Sequence, residues 1–126
     1  MKIATIIVRI LFGLLYTFSA AVVLFNLMPQ PEIPPGNIKT FMDGMMATGY
    51  LMTLLKVTEL VCGLALITGF FAPLANVIIF PITLNILCFH LFTAKADVGM
   101  AIVMLLMNLF LAYAYREKYK PMLTLK

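Results

Sequence analysis

Residues 50–68 read YLMTLLKVTELVCGLALIT, an apolar run of the ~20 residues that a membrane-crossing helix needs. Lys56 and Glu59 interrupt it from within. Two placements exist for such a segment: the core of a soluble domain, or a bilayer. Composition decides between them. Hydrophobic residues make up 63% of the chain and charged residues 11%, with a mean hydropathy of +1.07. Soluble domains carry about 45–50% apolar and about 25% charged residues. A chain of 126 residues has too much surface for its volume to bury that excess. The expected class is an all-α polytopic membrane protein, folded as a single membrane domain over residues 1–126.

Three further apolar runs flank this one. The first covers about residues 4–28. Lys2 and a small-residue stretch at Phe18-Ser19-Ala20 also suit a cleavable signal peptide, but the apolar run continues beyond an h-region of 7–15 residues, which favours a retained helix. Residues 29–37, PQPEIPPGN, hold four prolines and a glycine and must end that helix. Residues 38–48 place Ile38, Phe41, Met42, Met45 and Met46 on one side. This short amphipathic segment between helices 1 and 2 is either a helix in the membrane interface or a plain loop. After the 50–68 span, Gly69 to Pro73 form a turn. The third span covers 74–92, with Pro81 inside it; prolines are tolerated in membrane helices. Residues 93–97 form a polar turn, the fourth span covers 98–115, and a basic tail fills 116–126. The whole reads as a four-transmembrane-helix bundle.

Charge placement orients it. Arg116, Lys118, Lys120 and Lys126 lie in the tail, Lys2 and Arg9 near the N-terminus, and Glu32, Lys39 and Asp43 in the loop after the first span. Basic residues favour the cytoplasmic side, so both termini are expected in the cytoplasm. The net charge of +4 forms no patch or stripe of the kind that binds nucleic acid. Cys62 and Cys88 lie in apolar runs, where free cysteine acts as a small hydrophobe, and no CxxC pair is present.

Ionisable residues inside spans are functional candidates, because they are expensive in lipid and need a partner. Counting 1.5 Å per residue from the outer boundary puts Ser19, Glu59, Asn85 and Asn108, one from each span, at ~12–15 Å depth. Lys56, at ~9 Å, and His90, at ~5 Å, lie above that layer together with Asn26. Lys56, Glu59 and Gly63 share one helix face, whereas Asn85 and His90 stand about 140° apart. A glutamate at such depth is either protonated or paired with a cation. Lys56 either supplies that cation or snorkels outward. The layer is then either a small polar cavity open to the outside or interhelical hydrogen-bond glue. His90 reads as a capping or interfacial residue, since no second His, Cys, Asp or Glu stands at ligand spacing from it; no metal site is expected. Gly13, Thr17 and Ala21 form a small-residue stripe, and Gly63 and Ala65 add close-approach positions. They serve contacts within the bundle or between copies of it.

Arg9 followed by Phe12-Gly13-Leu14, Ala47-Thr48-Gly49-Tyr50, and Glu59-x-x-x-Gly63-Leu64-x-Leu66-x-x-Gly69 resemble the DoxX family of small four-helix membrane proteins over about residues 5–112. Family members often carry a glycine and then a lysine near the outer end of the first span, where this chain has Ser19-Ala20-Ala21-Val22 and Asn26. They also often carry an arginine where Phe71-Ala72-Pro73 stands. Arg9, Glu59, Gly63 and Gly69 remain as matching positions. The resemblance implies a link to the membrane subunit of a thiosulfate–quinone oxidoreductase.

Three functions are consistent with these residues. One is a redox-associated membrane subunit whose polar pocket around Glu59 handles a proton or binds a quinone head group. No haem, flavin or iron–sulfur motif is legible, so the electron carrier would be a diffusible quinone or a partner. A second is a non-catalytic accessory or assembly protein, suited by small-residue stripes and ten methionines that make adaptable surfaces. A small transporter is the weakest, since four helices without an inverted repeat make a thin scaffold unless the chain forms a homo-oligomer.

Overall fold

A computed structural model of the chain describes residues 2–29, 32–95 and 98–125. Among them every regular element is helical: α1 Lys2–Leu24, α2 Asn37–Ala47, α3 Leu51–Thr68, α4 Ala72–Phe92, α5 Val98–Ala114 and α6 Arg116–Tyr119, followed by a 3₁₀ turn, Lys120–Leu123. Ala96 and Asp97 of the expected polar turn, and Lys126 of the tail, lie outside the described residues.

The helix ends follow from local chemistry. α1 stops at Leu24, four residues short of Met28, because Asn26 turns left-handed (φ 51). Leu27 N–H then reaches back to Val22 C=O at 3.2 Å, the six-residue closure that ends helices at a left-handed residue. α3 ends the same way at Gly69 (φ 87), whose N–H bonds Ala65 C=O. Pro73 fits the first turn of α4, where no N–H is needed. α4 runs through Pro81 as one helix. α2 hangs between two glycines of positive φ, Gly36 and Gly49.

α1 packs against α3, α3 against α4, α4 against α5, and α5 back against α1. Phe12, Tyr16, Cys62, Leu66, Ile79 and Leu111 fill the centre. Burial runs opposite to that of a soluble protein. Glu59, Asn76, Thr83 and Asn108 are inside, whereas Ile7, Leu54, Val61 and Leu106 are at least half exposed around the outside. A soluble chain does the reverse; an apolar exterior suits lipid. α1, α3 and α4 are each long and apolar enough to cross a membrane. α5, at about 26 Å, is shorter than the hydrocarbon core and joins the other three only if its bent continuation into α6 belongs to the same span. The molecule is an integral membrane protein.

The register of the helices comes from three contacts. Gly13 lies against Gly63 and Ile67, and Arg9 against Gly69, so α1 and α3 run antiparallel. Tyr16 bonds Thr83, which sets α4 alongside α1. Asn76 bonds Asn108, which sets α5 against α4. Counting back along α5 from that pair brings Val98 level with about Ile86. α5 therefore begins about 9 Å short of the end of α4, and the end of the bundle beyond it is built from α1, α3, α4 and α2.

Candidate functional site

Glycine is what lets α1 and α3 close. A Cβ on Gly13 would stand 2.7 Å from Gly63 O, and one on Gly63 would stand 2.9 Å from Gly13 O and would overlap the Thr17 hydroxyl. The small residues are thus spent inside the bundle, between α1 and α3. With the backbones this close, the face of α3 that carries Gly63 also carries Glu59, one turn earlier, into the interior. Glu59 is 4% exposed.

Beneath it lies an enclosed layer. Tyr16 is fully enclosed, stacks edge-on against Phe12 with ring centroids 5.2 Å apart, and shares a 2.6 Å hydrogen bond with the Thr83 hydroxyl. Thr83 also donates to Ile79 C=O at 3.1 Å. These partners satisfy two hydroxyls that would otherwise be costly so deep. Beside Glu59, the Lys56 ammonium turns inward: Nζ is 3.2 Å from Glu59 Oε2 and donates a longer contact, 3.5 Å, to Ser19 Oγ.

Above this pair opens a cavity of about 570 Å³. Lys56 and Glu59 form its polar floor, Asn26, Asn85 and His90 add polar groups around it, and Leu55, Ile82 and Ile86 make apolar wall. α2 covers it with Phe41, Met42, Met45 and Met46, and Phe41 packs on Phe89 of α4, centroids 4.9 Å apart. The amphipathic segment is therefore a helix that turns its largely apolar side to the cavity, and Asp43, paired with Lys39, also lines it. His90 Nδ1 lies 3.0 Å from Ala94 O, across the end of α4. None of the residues named as lining the cavity comes from α5.

The sequence-expected site residues thus divide. Glu59, Lys56, Asn85 and His90 meet at one cavity, and Ser19 touches it through Lys56. Asn108 stands elsewhere. Its amide donates to Asn76 Oδ1 at 2.7 Å and to Asn76 C=O at 3.1 Å, while Asn76 donates to Asn108 C=O at 3.3 Å. Asn76 is nine residues from Asn85, ~14 Å along α4, so the expected four-residue layer holds Ser19, Glu59 and Asn85 but not Asn108. The depth count for Asn108 started α5 at the outer boundary, and α5 starts lower. Arg9 and Gly69 sit at the opposite end, with the guanidinium packed on the glycine that caps α3. Cys62 is buried in the core and Cys88 faces outward. Among the described residues no group of His, Cys, Asp or Glu is arranged to hold a metal ion.

Three participants were not picked out from the sequence. Asn76 gives the same signal as Asn85, an amide in an apolar run, and was legible. Tyr16 and Thr83 carry no such signal, being ordinary span residues until a partner is known.

The family model for DoxX matches residues 4–94, which takes in α1 to α4 and every cavity-lining residue named above. No curated protein and no solved structure matches the chain. The match spans well over half of the sequence and contains Arg9, Glu59, Gly63 and Gly69, the positions around which α1 and α3 close; the chain belongs to the DoxX family.

Proposed function

We propose that the protein is a quinone-linked membrane subunit that receives the head group of a quinone in the cavity above Glu59. The carrying observation is a carboxylate–ammonium pair at the floor of a cavity whose lining is largely apolar. The volume falls within the ~300–1,000 Å³ of small-molecule sites, which combine apolar walls with a few convergent polar groups. A quinone head needs apolar faces for its ring and hydrogen-bond donors for its carbonyl oxygens. Leu55, Ile82, Ile86 and the methionines of α2 supply the faces; Lys56, Asn26 and Asn85 supply donors. Quinone reduction takes up protons. Glu59, held by Lys56, is placed to hold one, and its protonation would free the ammonium for a carbonyl oxygen. Electrons reach the quinone from a partner protein in this reading.

The same reading takes α5 with its bent continuation as a fourth crossing, puts both termini in the cytoplasm of a bacterial inner membrane, and opens the cavity toward the outer face. Basic residues at the end bearing both termini support that orientation. The alternative, a non-catalytic accessory protein packing through its small-residue stripe, loses weight because Gly13, Thr17 and Gly63 are occupied within the bundle. Glu59→Gln separates the two. The proposal expects quinone-linked activity, normalised to the folded variant present in the membrane, to fall at least tenfold. Full activity in an accumulated variant would contradict it.

A further inference from the structure

The end of the bundle opposite the cavity carries an unabsorbed set of groups. Arg9 packs its guanidinium against the Gly69 cap of α3; a Cβ there would stand 3.0 Å from Nη1. Its Nε is buried without a hydrogen-bond partner, and among the described residues it forms no ion pair. The carboxyl end of α3 offers it only a partial negative charge. The turn that begins at Gly69 is clasped at its other end by Tyr119, whose hydroxyl donates to Pro73 C=O at 2.6 Å. That bond holds α6 back over the bundle end, after a 72° bend from α5. Along this folded-back tail, Arg116 lies over the Tyr113 ring at 4.2 Å, Lys120 pairs with Glu117, and Lys118 is exposed. Phe70 and Phe71 of the turn and Leu123 of the tail are each about three-quarters exposed.

A segment turned across the helix axes, with cations and bare apolar side chains together, has the character of one that lies in a membrane interface. Aromatic residues at the turn fit the same depth. Cations near a membrane surface are drawn to anionic lipid by about 1 kcal/mol each, and a guanidinium takes a phosphate through two parallel hydrogen bonds. We propose that this end of the bundle binds the headgroup of an anionic phospholipid, with Arg9 holding the phosphate and Lys118 and Arg116 adding charge around it. The site is independent of the cavity and of any quinone.

The test uses the full chain in a non-ionic detergent, with bound lipid counted by native mass spectrometry. Phosphatidylglycerol and phosphatidylcholine of matched chains compete at equal concentration. The expected result is a saturable preference for phosphatidylglycerol that inorganic phosphate does not compete away. Lys118→Gln, on the exposed tail, should lower the preference about fivefold, the ratio given by about 1 kcal/mol per cation. Arg9→Gln should lower it further. Equal occupancy by the two lipids, displacement by inorganic phosphate, or a preference that Lys118→Gln leaves unchanged would overturn the proposal. The Lys118 variant decides the matter even if Arg9→Gln fails to fold.

Discussion

Lys56 and Glu59 stand one turn apart on α3, with Nζ 3.2 Å from Oε2, and the carboxylate is the more deeply buried partner. Burying either charge alone is costly, and the pair is tolerable because each supplies what the other lacks. Removing only the ammonium strands the carboxylate. Lys56→Met is therefore expected to destabilise the protein by about 3 kcal/mol or more. Lys56→Met combined with Glu59→Leu should recover much of that loss. Unfolding titrations in SDS-containing micelles measure both. Glu59→Leu alone completes the cycle, and single losses that simply add in the double variant would mean that the pair is not coupled.

The closure of α1 on α3 makes a sharper demand on glycine. Gly63→Ala places a methyl against Gly13 O and the Thr17 side chain, and overpacking of this kind costs about 1–3 kcal/mol. Gly44, on α2, has nothing within 4 Å of a built Cβ. Gly44→Ala should leave stability unchanged or raise it by about 0.4–1 kcal/mol. The same unfolding titration compares the two variants. A harmless Gly63→Ala would show that the helices do not approach as described.

Asn76 and Asn108 exchange hydrogen bonds far from the cavity. Interhelical polar contacts in membranes are worth about 0.6 kcal/mol on average, and rarely above about 1.7. Asn108→Leu should cost about that much and should leave ligand binding at the cavity intact. Asn85→Leu should do the reverse, because Asn85 lines the cavity, away from the Asn76–Asn108 contact with α5. Ligand titration alongside thermal denaturation of the two variants tests the division.

α2 covers the cavity through Phe41 on Phe89. The chain has no tryptophan, so Phe41→Trp installs a lone indole in the cover. Its fluorescence should be quenched saturably by a short-chain quinone. Emission insensitive to the quinone would place α2 away from the ligand.

The membrane class was legible because composition alone excludes a soluble core, and the Lys56–Glu59–Gly63 face because helical spacing fixes it. The cover was ambiguous: an amphipathic stretch of eleven residues, Asn37–Ala47, has the same pattern whether its apolar side meets lipid or a cavity. Asn108 was misplaced for a different reason. Depth counted along one helix assumes that every helix starts at the same height, whereas the Asn76–Asn108 contact starts α5 near the level of Ile86. The partnership of Tyr16 with Thr83 is a tertiary fact. Nothing local to either residue encodes it.

The central claim is that the cavity above Glu59 is where a quinone sits, and photolabelling tests it most directly. Purified protein is irradiated with a photoreactive short-chain quinone, with and without excess unmodified quinone, and the labelled peptides are mapped. Labelling that competes away and falls on Phe41–Met46 of α2 and Met52–Glu59 of α3, and that is weakened at least tenfold in Glu59→Gln, is the predicted result. Labelling confined to lipid-facing residues such as Ile7, Val61 and Leu106, or label that excess quinone does not displace, would contradict the account.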